Sequence, residues 1–320
     1  MLAWNQGSST RYDGCGWGYI ATLRSVQSVV IATPQRRTSE GHSMLQIARI
    51  LLALALGIPS IATFASEQGA ARGHTVRVNG IEMYYEEQGT GKPLVLLHGF
   101  GGCGQNWRPF AAQLSAHHRL IMVDLRGHGH STNPENTFTH RQAASDVFSL
   151  LESLGIDRFA AMGISSGGMT LLHMATRQPG RVESMVLIGA TSYFPEQARS
   201  ILREASVDNM PPEVQAMYRE CAIRGDAQVR QLVAQFNAFH KSYDDMNFTG
   251  PYLSTISAHT LIVHGDHDPF FPVEIPVSIY RAIPNASLWI IPGGDHVPIY
   301  DPAVPFTATA LQFIDGPAHK

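Results

Sequence analysis

Apolar residues along this chain follow two kinds of pattern, and the alternation between them predicts the architecture. Short continuous apolar runs, such as Leu94–Leu97, Leu120–Val123 and Phe159–Met162, are typical of strands that are buried on both faces of a sheet. Between such runs lie longer stretches with apolar residues at helical spacing, as in Gln142–Leu154. Strands that alternate with helices predict a mostly parallel α/β sheet with helices on both faces.

A different pattern opens the regular part of the chain. Thr75–Val78 and Ile81–Tyr85 alternate in polarity on either side of Asn79-Gly80. Alternation around an Asn-Gly pair predicts a β-hairpin, because both residues accept the positive φ angles of a tight turn.

The strand–helix alternation stops in residues 191–257, which carry mixed charges and scattered aromatic and methionine side chains. This stretch is expected to be a helical insertion that divides the core into residues 66–190 and 258–320. After it the α/β pattern resumes, with helices predicted over Val273–Ala282 and Pro302–Phe313.

The beginning of the chain has the composition of a targeting segment. Arg49 precedes an apolar run, Ile50–Ala65, that a proline interrupts and that is too short for a comfortable membrane span. A positive flank, a short apolar run and small residues predict a signal peptide over residues 44–65, with residues 1–43 outside the mature protein. We therefore expect export, periplasmic or secreted, after cleavage near Ala65, and no stable membrane span in the mature form.

Composition narrows the class of protein. The chain has 320 residues, of which 44% are hydrophobic and 15% charged, with a formal charge of −3, as expected for a globular protein with no nucleic-acid partner. The three cysteines, Cys15, Cys103 and Cys221, lack metal-ligand spacing. Pairing of Cys103 with Cys221 stays open, and two free thiols are the expectation.

A candidate nucleophile lies between an apolar run and a helical stretch. Gly163-Ile-Ser-Ser-Gly167 follows the run Phe159–Met162 and precedes Met169–Arg177. A Gly-x-Ser-x-Gly sequence in that context is typical of a nucleophile elbow, a sharp turn that exposes the serine hydroxyl and needs small neighbours. Ser165 is the predicted nucleophile.

A serine nucleophile needs a base and an acid that orients the base. Two polar segments, His264-Gly-Asp-His-Asp268 and Gly294-Asp-His296, each follow an apolar run. The carboxyl ends of parallel strands carry the sites of open α/β sheets. His296 is the candidate base, and Asp266 and Asp268 compete as the acid.

Five motifs follow one another along the chain in the order of a known family, and the candidate catalytic residues among them come in the order Ser, Asp, His. These motifs are His98-Gly-Phe-Gly101, Asp124-Leu-Arg-Gly-His-Gly-His-Ser131, Gly163-Ile-Ser-Ser-Gly167, Gly265-Asp-His-Asp268 and Gly294-Asp-His296. Together they resemble the α/β-hydrolase fold, in the branch that holds esterases, lactonases, C–C hydrolases and haloperoxidase-like enzymes.

The resemblance implies roles for particular residues. Ser165 would be the nucleophile, His296 the base and Asp268 the acid, while the backbone N–H groups of Phe100 and Ser166 would form the oxyanion hole. The resemblance also implies that no cofactor or metal is required and that the insertion forms a lid. A serine hydrolase of small or medium uncharged esters or lactones is the expected activity, with a C–C bond hydrolase or a haloperoxidase-like perhydrolase as alternatives on the same triad.

Two other classes of protein compete with this interpretation. Gly99–Gly104 has the form G-x-G-x-x-G and is followed by Asp124, as in an NAD-dependent oxidoreductase, but that class leaves the elbow unexplained. A metal site could instead use His264, Asp266, His267, Asp268 and His296, yet none of the usual metal-ligand spacings occurs.

The insertion offers side chains for a substrate pocket. About two thirds of its large aromatic and methionine residues are expected to hold the insertion's own small core, as a rough expectation for apolar side chains, and the remainder should line an apolar pocket. No arginine cluster marks the insertion as a clamp for an anion, so the substrate should be an uncharged small molecule. The residues concerned are Tyr193, Phe194, Met210, Met217, Tyr218, Phe236, Phe239, Tyr243, Met246 and Phe248.

Overall fold

One sheet runs through residues 71–316, the part of the chain that this computed structural model describes. Within those residues the sheet has eight strands in the order β1-β2-β4-β3-β5-β6-β7-β8. β1 pairs with β2 and β2 with β4 in antiparallel fashion, and all the other pairs are parallel. The strands are β1 Arg72–Val78, β2 Ile81–Gln88, β3 Lys92–Leu97, β4 His118–Val123, β5 Phe159–Ile164, β6 Val182–Ile188, β7 His259–Gly265 and β8 Ala286–Ile291.

Helices cover both faces of the sheet, as the alternation of patterns predicted. The helices are α1 Arg108–Leu114, α2 His140–Ser153, α3 Ser166–Arg177, α4 Glu196–Glu204, α5 Pro212–Cys221, α6 Asp226–Ala238, α7 Gly250–Leu253, α8 Glu274–Ala282 and α9 Phe306–Asp315. Apolar side chains of α1 and α9 pack on one face, and those of α2, α3 and α8 pack on the other.

The continuous apolar runs are explained by this two-sided cover. In β3, Leu94 and Leu96 belong to the core on one face, whereas Val95 and Leu97 belong to the core on the opposite face. Successive side chains of a strand point to opposite faces, so a strand covered on both sides needs apolar residues at every position.

The hairpin is confirmed. Val78 pairs with Ile81 across the turn, and Asn79 and Gly80 have φ angles of 44° and 80°. Two successive positive φ angles match the twist of antiparallel strands, which places the two strands side by side at the edge of the sheet.

The last helix begins later than predicted. The periodicity suggested a start at Pro302, but α9 begins at Phe306, directly after Pro305. Two prolines lie in the segment before it, and a proline restricts the residue that precedes it away from helical angles. These prolines disfavour helical angles at Asp301 and Val304, and the helix begins after the second proline.

Residues 191–257 contain α4 to α7 and a short 3-10 helix, Phe239–Lys241. No helix within residues 71–316 has the length and apolar character needed to cross a membrane. The expected signal peptide and upstream segment lie outside the described residues.

The expectation of two free thiols is wrong. Cys103, in the loop after β3, forms a disulfide with Cys221, the last residue of α5, and their Cα atoms are 5.6 Å apart. The two residues are separated by 118 positions in sequence, so only the packing of α5 against that loop brings them together.

Candidate active site

Ser165 occupies a sharp turn between β5 and α3. Its φ of 50° and ψ of −113° lie in a region that residues with a side chain rarely adopt, and such angles cost about 1–3 kcal/mol. The turn is held because the Ser165 N–H donates to the Ile188 carbonyl at 2.7 Å. Ser165 is therefore held in its strained conformation before any substrate binds.

The two glycines of the elbow are required by close approach. A Cβ atom on Gly163 would lie 2.5 Å from the backbone of Gly167 and Gly168, and one on Gly167 would collide with the Leu97 carbonyl oxygen. Side chains at either position would push α3 away from the sheet, so the pattern in the sequence follows from the tightness of the turn.

The structure brings Ser165, His296 and Asp268 into one hydrogen-bonded chain. The distance from Ser165 Oγ to His296 Nε2 is 2.9 Å, and the distance from His296 Nδ1 to Asp268 Oδ2 is 2.8 Å. Ser165 follows β5, Asp268 lies after β7 and His296 lies after β8, so the carboxyl ends of three parallel strands supply them.

Asp268 is held as a carboxylate. Burial opposes its ionisation, but the hydrogen bond and charge of His296 and the amides of Phe270 and Phe271 outweigh burial and lower its pKa. Those two amides donate to Oδ1 at 2.8 and 3.1 Å. Because Oδ2 of the Asp268 carboxylate accepts a hydrogen bond from His296, the His296 proton is fixed on Nδ1, and Nε2 is left as the proton acceptor for Ser165.

Asp266, the other candidate for the acid, makes different contacts. Its Oδ1 accepts the Gly293 N–H at 2.6 Å and lies 2.9 Å from His267 Nδ1. The contact with Gly293 joins the loop after β7 to the loop after β8. No hydrogen bond connects Asp266 with His296 within the described residues.

The proposed oxyanion donors come from two places beside the elbow, the loop after β3, which carries Phe100, and the first residue of α3. The Phe100 N–H makes no hydrogen bond to any group within residues 71–316, and Ser166, as the first residue of α3, has no acceptor within its helix. His98 braces the first loop, because its Nε2 accepts the Leu125 N–H at 3.0 Å and its Nδ1 lies 2.7 Å from the Gly99 carbonyl oxygen.

The glycine-rich stretch Gly99–Gly104 lacks the free acidic partner that a dinucleotide site requires. Asp124, the residue that a dinucleotide site would need, is buried and accepts the Gly104 N–H at 2.7 Å and the His130 N–H at 2.8 Å. Its carboxylate is used to hold two loops. No group of residues suited to hold a metal ion occurs within the described residues.

A cavity of about 570 Å³ opens beside Ser165 and His296. Its walls are mainly apolar, with several aromatic side chains, and come from both the core and the inserted segment. Six of the ten aromatic and methionine residues named above line it, more than the one third that the sequence predicted, and Phe194, Tyr218 and Phe239 among them also belong to the buried core. The reason is that α4, α5 and α6 turn their apolar sides toward the elbow. The phenylalanines of the lining are Phe100, Phe194, Phe236, Phe239, Phe270 and Phe271.

Sequence reasoning missed two features of the site. One is the disulfide, which joins the loop carrying Phe100 to α5, whose residues Met217 and Tyr218 line the cavity. The other is the pair Phe270 and Phe271, whose amides hold Asp268 and whose rings lie 4.9 and 5.4 Å from the His296 ring. They lie two and three positions after Asp268, which is a local signal that could have been used; the disulfide has none.

The fold, the sharp turn at Ser165 and the hydrogen-bonded chain through His296 agree with the family that the motifs resemble. A family model described as alpha/beta hydrolase fold matches residues 92–303, and the chain belongs to this family. The human serine hydrolase BPHL is 28% identical over 277 residues, which are 80% of this chain and 91% of that protein. A 2-hydroxy-6-oxo-6-(2'-aminophenyl)hexa-2,4-dienoic acid hydrolase of Metapseudomonas resinovorans is 26% identical over 260 residues, 75% of this chain and 89% of that protein.

A similar solved structure is the enol-lactonase from Burkholderia xenovorans LB400. It is 26% identical with a TM-score of 0.62, and the match covers 76% of this chain and 100% of that chain. These proteins are named for different substrates, a dienoic acid in one case and an enol lactone in another, so their names do not fix the substrate of this chain.

Proposed function

We propose that this protein is a serine hydrolase that cleaves small or medium uncharged carboxylic esters or lactones through an acyl-enzyme. The observation that carries the proposal is the hydrogen-bonded chain from Ser165 through His296 to Asp268, with distances of 2.9 and 2.8 Å, at the wall of an apolar cavity.

In the proposed cycle, Ser165, His296 and Asp268 act in both acylation and deacylation. His296 Nε2 takes the proton of Ser165 as its oxygen attacks the ester carbonyl, and Asp268 stabilises the imidazolium that forms. The N–H groups of Phe100 and Ser166 hold the negative oxygen. His296 then gives its proton to the leaving alcohol, and water activated by His296 releases the acid.

The cavity supports an uncharged and largely apolar substrate. A volume of about 570 Å³ suits a small-molecule ligand. Among the described residues that line the cavity there is no lysine or arginine, and the charged carboxylate there belongs to Glu220, which is exposed. An anionic substrate would lose its hydration without gaining a cation in return.

A C–C hydrolase is the second candidate because the relative from Metapseudomonas resinovorans is named as the hydrolase of a dienoic acid. Such a substrate carries a carboxylate, which the lining does not complement. The enol-lactonase, which is named for a neutral ester-type bond, is chemically closer to what this cavity accommodates.

A hydrolysis panel tests the proposal. It would contain p-nitrophenyl acetate, butyrate, octanoate and phenylacetate, the anionic p-nitrophenyl hemisuccinate, a γ- and a δ-lactone, and a meta-cleavage dienoic acid. We expect a shallow chain-length optimum, because one methylene changes discrimination by about 1–3 kcal/mol, and a kcat/KM for the hemisuccinate at least about tenfold below that for the butyrate. A preference for the dienoic acid with esters barely turned over would replace the ester by a C–C bond.

A further inference from the structure

A second chain of aspartate, histidine and serine lies beside the nucleophile. Asp245 Oδ2 is 2.6 Å from His140 Nδ1, and His140 Nε2 is 3.1 Å from Ser166 Oγ. His140 is completely buried, and Ser166 and Asp245 are 3% and 7% exposed. None of these three side chains takes part in the proton transfers of the proposed cycle, so the network needs its own explanation.

The protons of this network have one favoured arrangement. Burial opposes the ionisation of Asp245, but hydrogen bonds from the His140 ring and from the amides of His140 and Arg141 lower its pKa to about 2. Asp245 is therefore a carboxylate at neutral pH and fixes a proton on His140 Nδ1. His140 Nε2 is then an acceptor, and the hydroxyl of Ser166 donates to it.

Ser166 matters because its backbone N–H is a proposed oxyanion donor. It is the first residue of α3, so its N–H has no acceptor within the helix, while the Ser165 carbonyl of the same peptide group accepts the Met169 N–H at 2.9 Å. The hydrogen bond to His140 holds the Ser166 side chain, and with it the Cα atom next to this peptide group. The rings of Phe138 and Phe239, whose centroids lie 5.4 and 5.1 Å from that of His140, keep water away from this bond.

Asp245 joins the inserted segment to two helices of the core. Its carboxylate accepts the amide of His140 at 2.8 Å at the start of α2. Its carbonyl oxygen lies 2.7 Å from Nε2 of His173 in α3, the helix that Ser166 begins. The position of Ser166 is thereby tied to the docking of residues 191–257 on the core.

We propose that Asp245 and His140 are positioning residues that hold the oxyanion donor Ser166 in its catalytic orientation, and that they do so only while the inserted segment is docked. This inference rests on the proposed function. Because a donor that is correctly placed acts on the transition state and not on the bound substrate, its loss should lower kcat and leave KM almost unchanged.

The variant Ser166→Ala tests the inference directly, since it removes the hydroxyl and retains the backbone N–H. We expect kcat for p-nitrophenyl butyrate to fall by about ten- to a hundredfold, less than the loss of a whole oxyanion donor, with KM within about twofold. The rate of phosphonylation of Ser165 by a fluorophosphonate should fall by a similar factor. The matched control is Ser184→Ala, a buried serine in β6, which should change neither rate.

A second variant, Asp245→Asn, breaks the chain at its other end. It should lower kcat by a similar factor, and the double variant should be no slower than the slower single variant, because both act through one donor. Fluorophosphonate labelling also counts active sites, so that kcat is expressed per folded enzyme.

The outcomes separate the two claims. If the native protein is labelled at Ser165 and Ser166→Ala is labelled and turns over at the native rate, the positioning role is wrong and the proposed function stands. If the native protein is neither labelled at Ser165 nor active on any ester, the proposed function itself fails. Multiplying effects in the double variant would show two independent structural losses and would also overturn the inference.

Discussion

The proposed reactivity of Ser165 depends on groups that act at the scale of single atoms. Its oxygen lies 2.9 Å from Nε2 of His296, and Nδ1 of the same ring lies 2.8 Å from the buried carboxylate of Asp268. The elbow holds Ser165 at a φ of 50°, so the hydroxyl is placed before substrate arrives. No movement of the serine is needed to begin the proposed attack.

Removing either the donor or the acceptor of the proposed proton transfer, Ser165 or His296, should abolish turnover. We expect Ser165→Ala and His296→Ala each to lower kcat for p-nitrophenyl butyrate by about a millionfold, as in a comparable serine hydrolase. Steady-state kinetics on freshly purified protein, with the melting temperature as the folding control, measures this. Ester hydrolysis by Ser165→Ala at near the native rate would contradict the assignment of the nucleophile.

The two neighbouring aspartates should behave differently. Asp268→Asn should lower kcat by about ten-thousandfold, because His296 would remain with its proton on the wrong nitrogen. Asp266→Asn should retain most of the activity, since Asp266 holds the Gly293 amide and not His296. Both variants are compared at matched folded fractions, and the reverse ranking of the two activities would move the acid to Asp266.

At the scale of elements, the contact between α3 and the inserted segment should respond to acid. Burial lowers the pKa of His173 from 6.5 to about 4, so the folded protein keeps this ring neutral while the unfolded chain takes up a proton below 6.5. Stability should therefore fall as the pH drops from 6.5 to 4. The carboxylate of Asp245, with its pKa lowered from 3.8 to about 2, should add a further loss below 3.8.

His173→Gln isolates this contribution, because glutamine can still donate to the Asp245 carbonyl but does not titrate. Urea unfolding of both proteins at pH 7, 5.5 and 4 would give the difference in the free energy of unfolding. We expect the stability of the native protein relative to the variant to decrease steadily as the pH falls. A difference that is constant across this range would show that His173 does not titrate between the two states.

The disulfide links two elements that both border the cavity. Cys103 follows the loop of Phe100, and Cys221 ends α5. Removing the cross-link in the double variant Cys103→Ala/Cys221→Ala should lower the free energy of unfolding by about 2–4 kcal/mol, mainly because the unfolded chain regains freedom. Equilibrium urea unfolding measures the change.

The control for this prediction is thiol counting. Unreduced native protein should show no alkylation at Cys103 or Cys221 when it is denatured in iodoacetamide, and full alkylation after reduction. Alkylation of both residues without reduction would mean that the thiols are free and that the stability change has another source.

At the scale of the whole molecule, we propose that the protein is exported. Disulfides persist in oxidising compartments, and the Cys103–Cys221 pair supports the signal peptide that residues 44–65 predict. Expressed with its native N-terminus in a bacterium, the protein should leave the cytosol and begin near Ser66, as N-terminal sequencing would show. Leu54→Arg, placed within the apolar run, should retain it in the cytosol. An unprocessed native chain in the cytosol would contradict export.

Much of the fold could be predicted because its signals are local. The two-sided burial of β3 requires an unbroken apolar run, the hairpin requires Asn79 and Gly80 to adopt positive φ angles, and the elbow requires glycine at 163 and 167. Each requirement is met within a few residues and is therefore visible in the order of amino acids. The same locality singled out Ser165, His296 and the pair Asp266 and Asp268.

The sequence by itself thus determined the fold class and the candidates for the site, whereas tertiary structure decided how distant segments meet. The family resemblance implied Asp268 as the acid, but only packing brought its carboxylate to His296, joined Cys103 to Cys221 and turned several aromatic side chains of the insertion toward Ser165. The hydrogen bond between His140 and Asp245 joins residues 105 positions apart, and no periodicity or motif in the sequence predicts it. Such contacts depend on how whole helices dock, and docking is set by the shape and burial of surfaces formed after the local elements are in place.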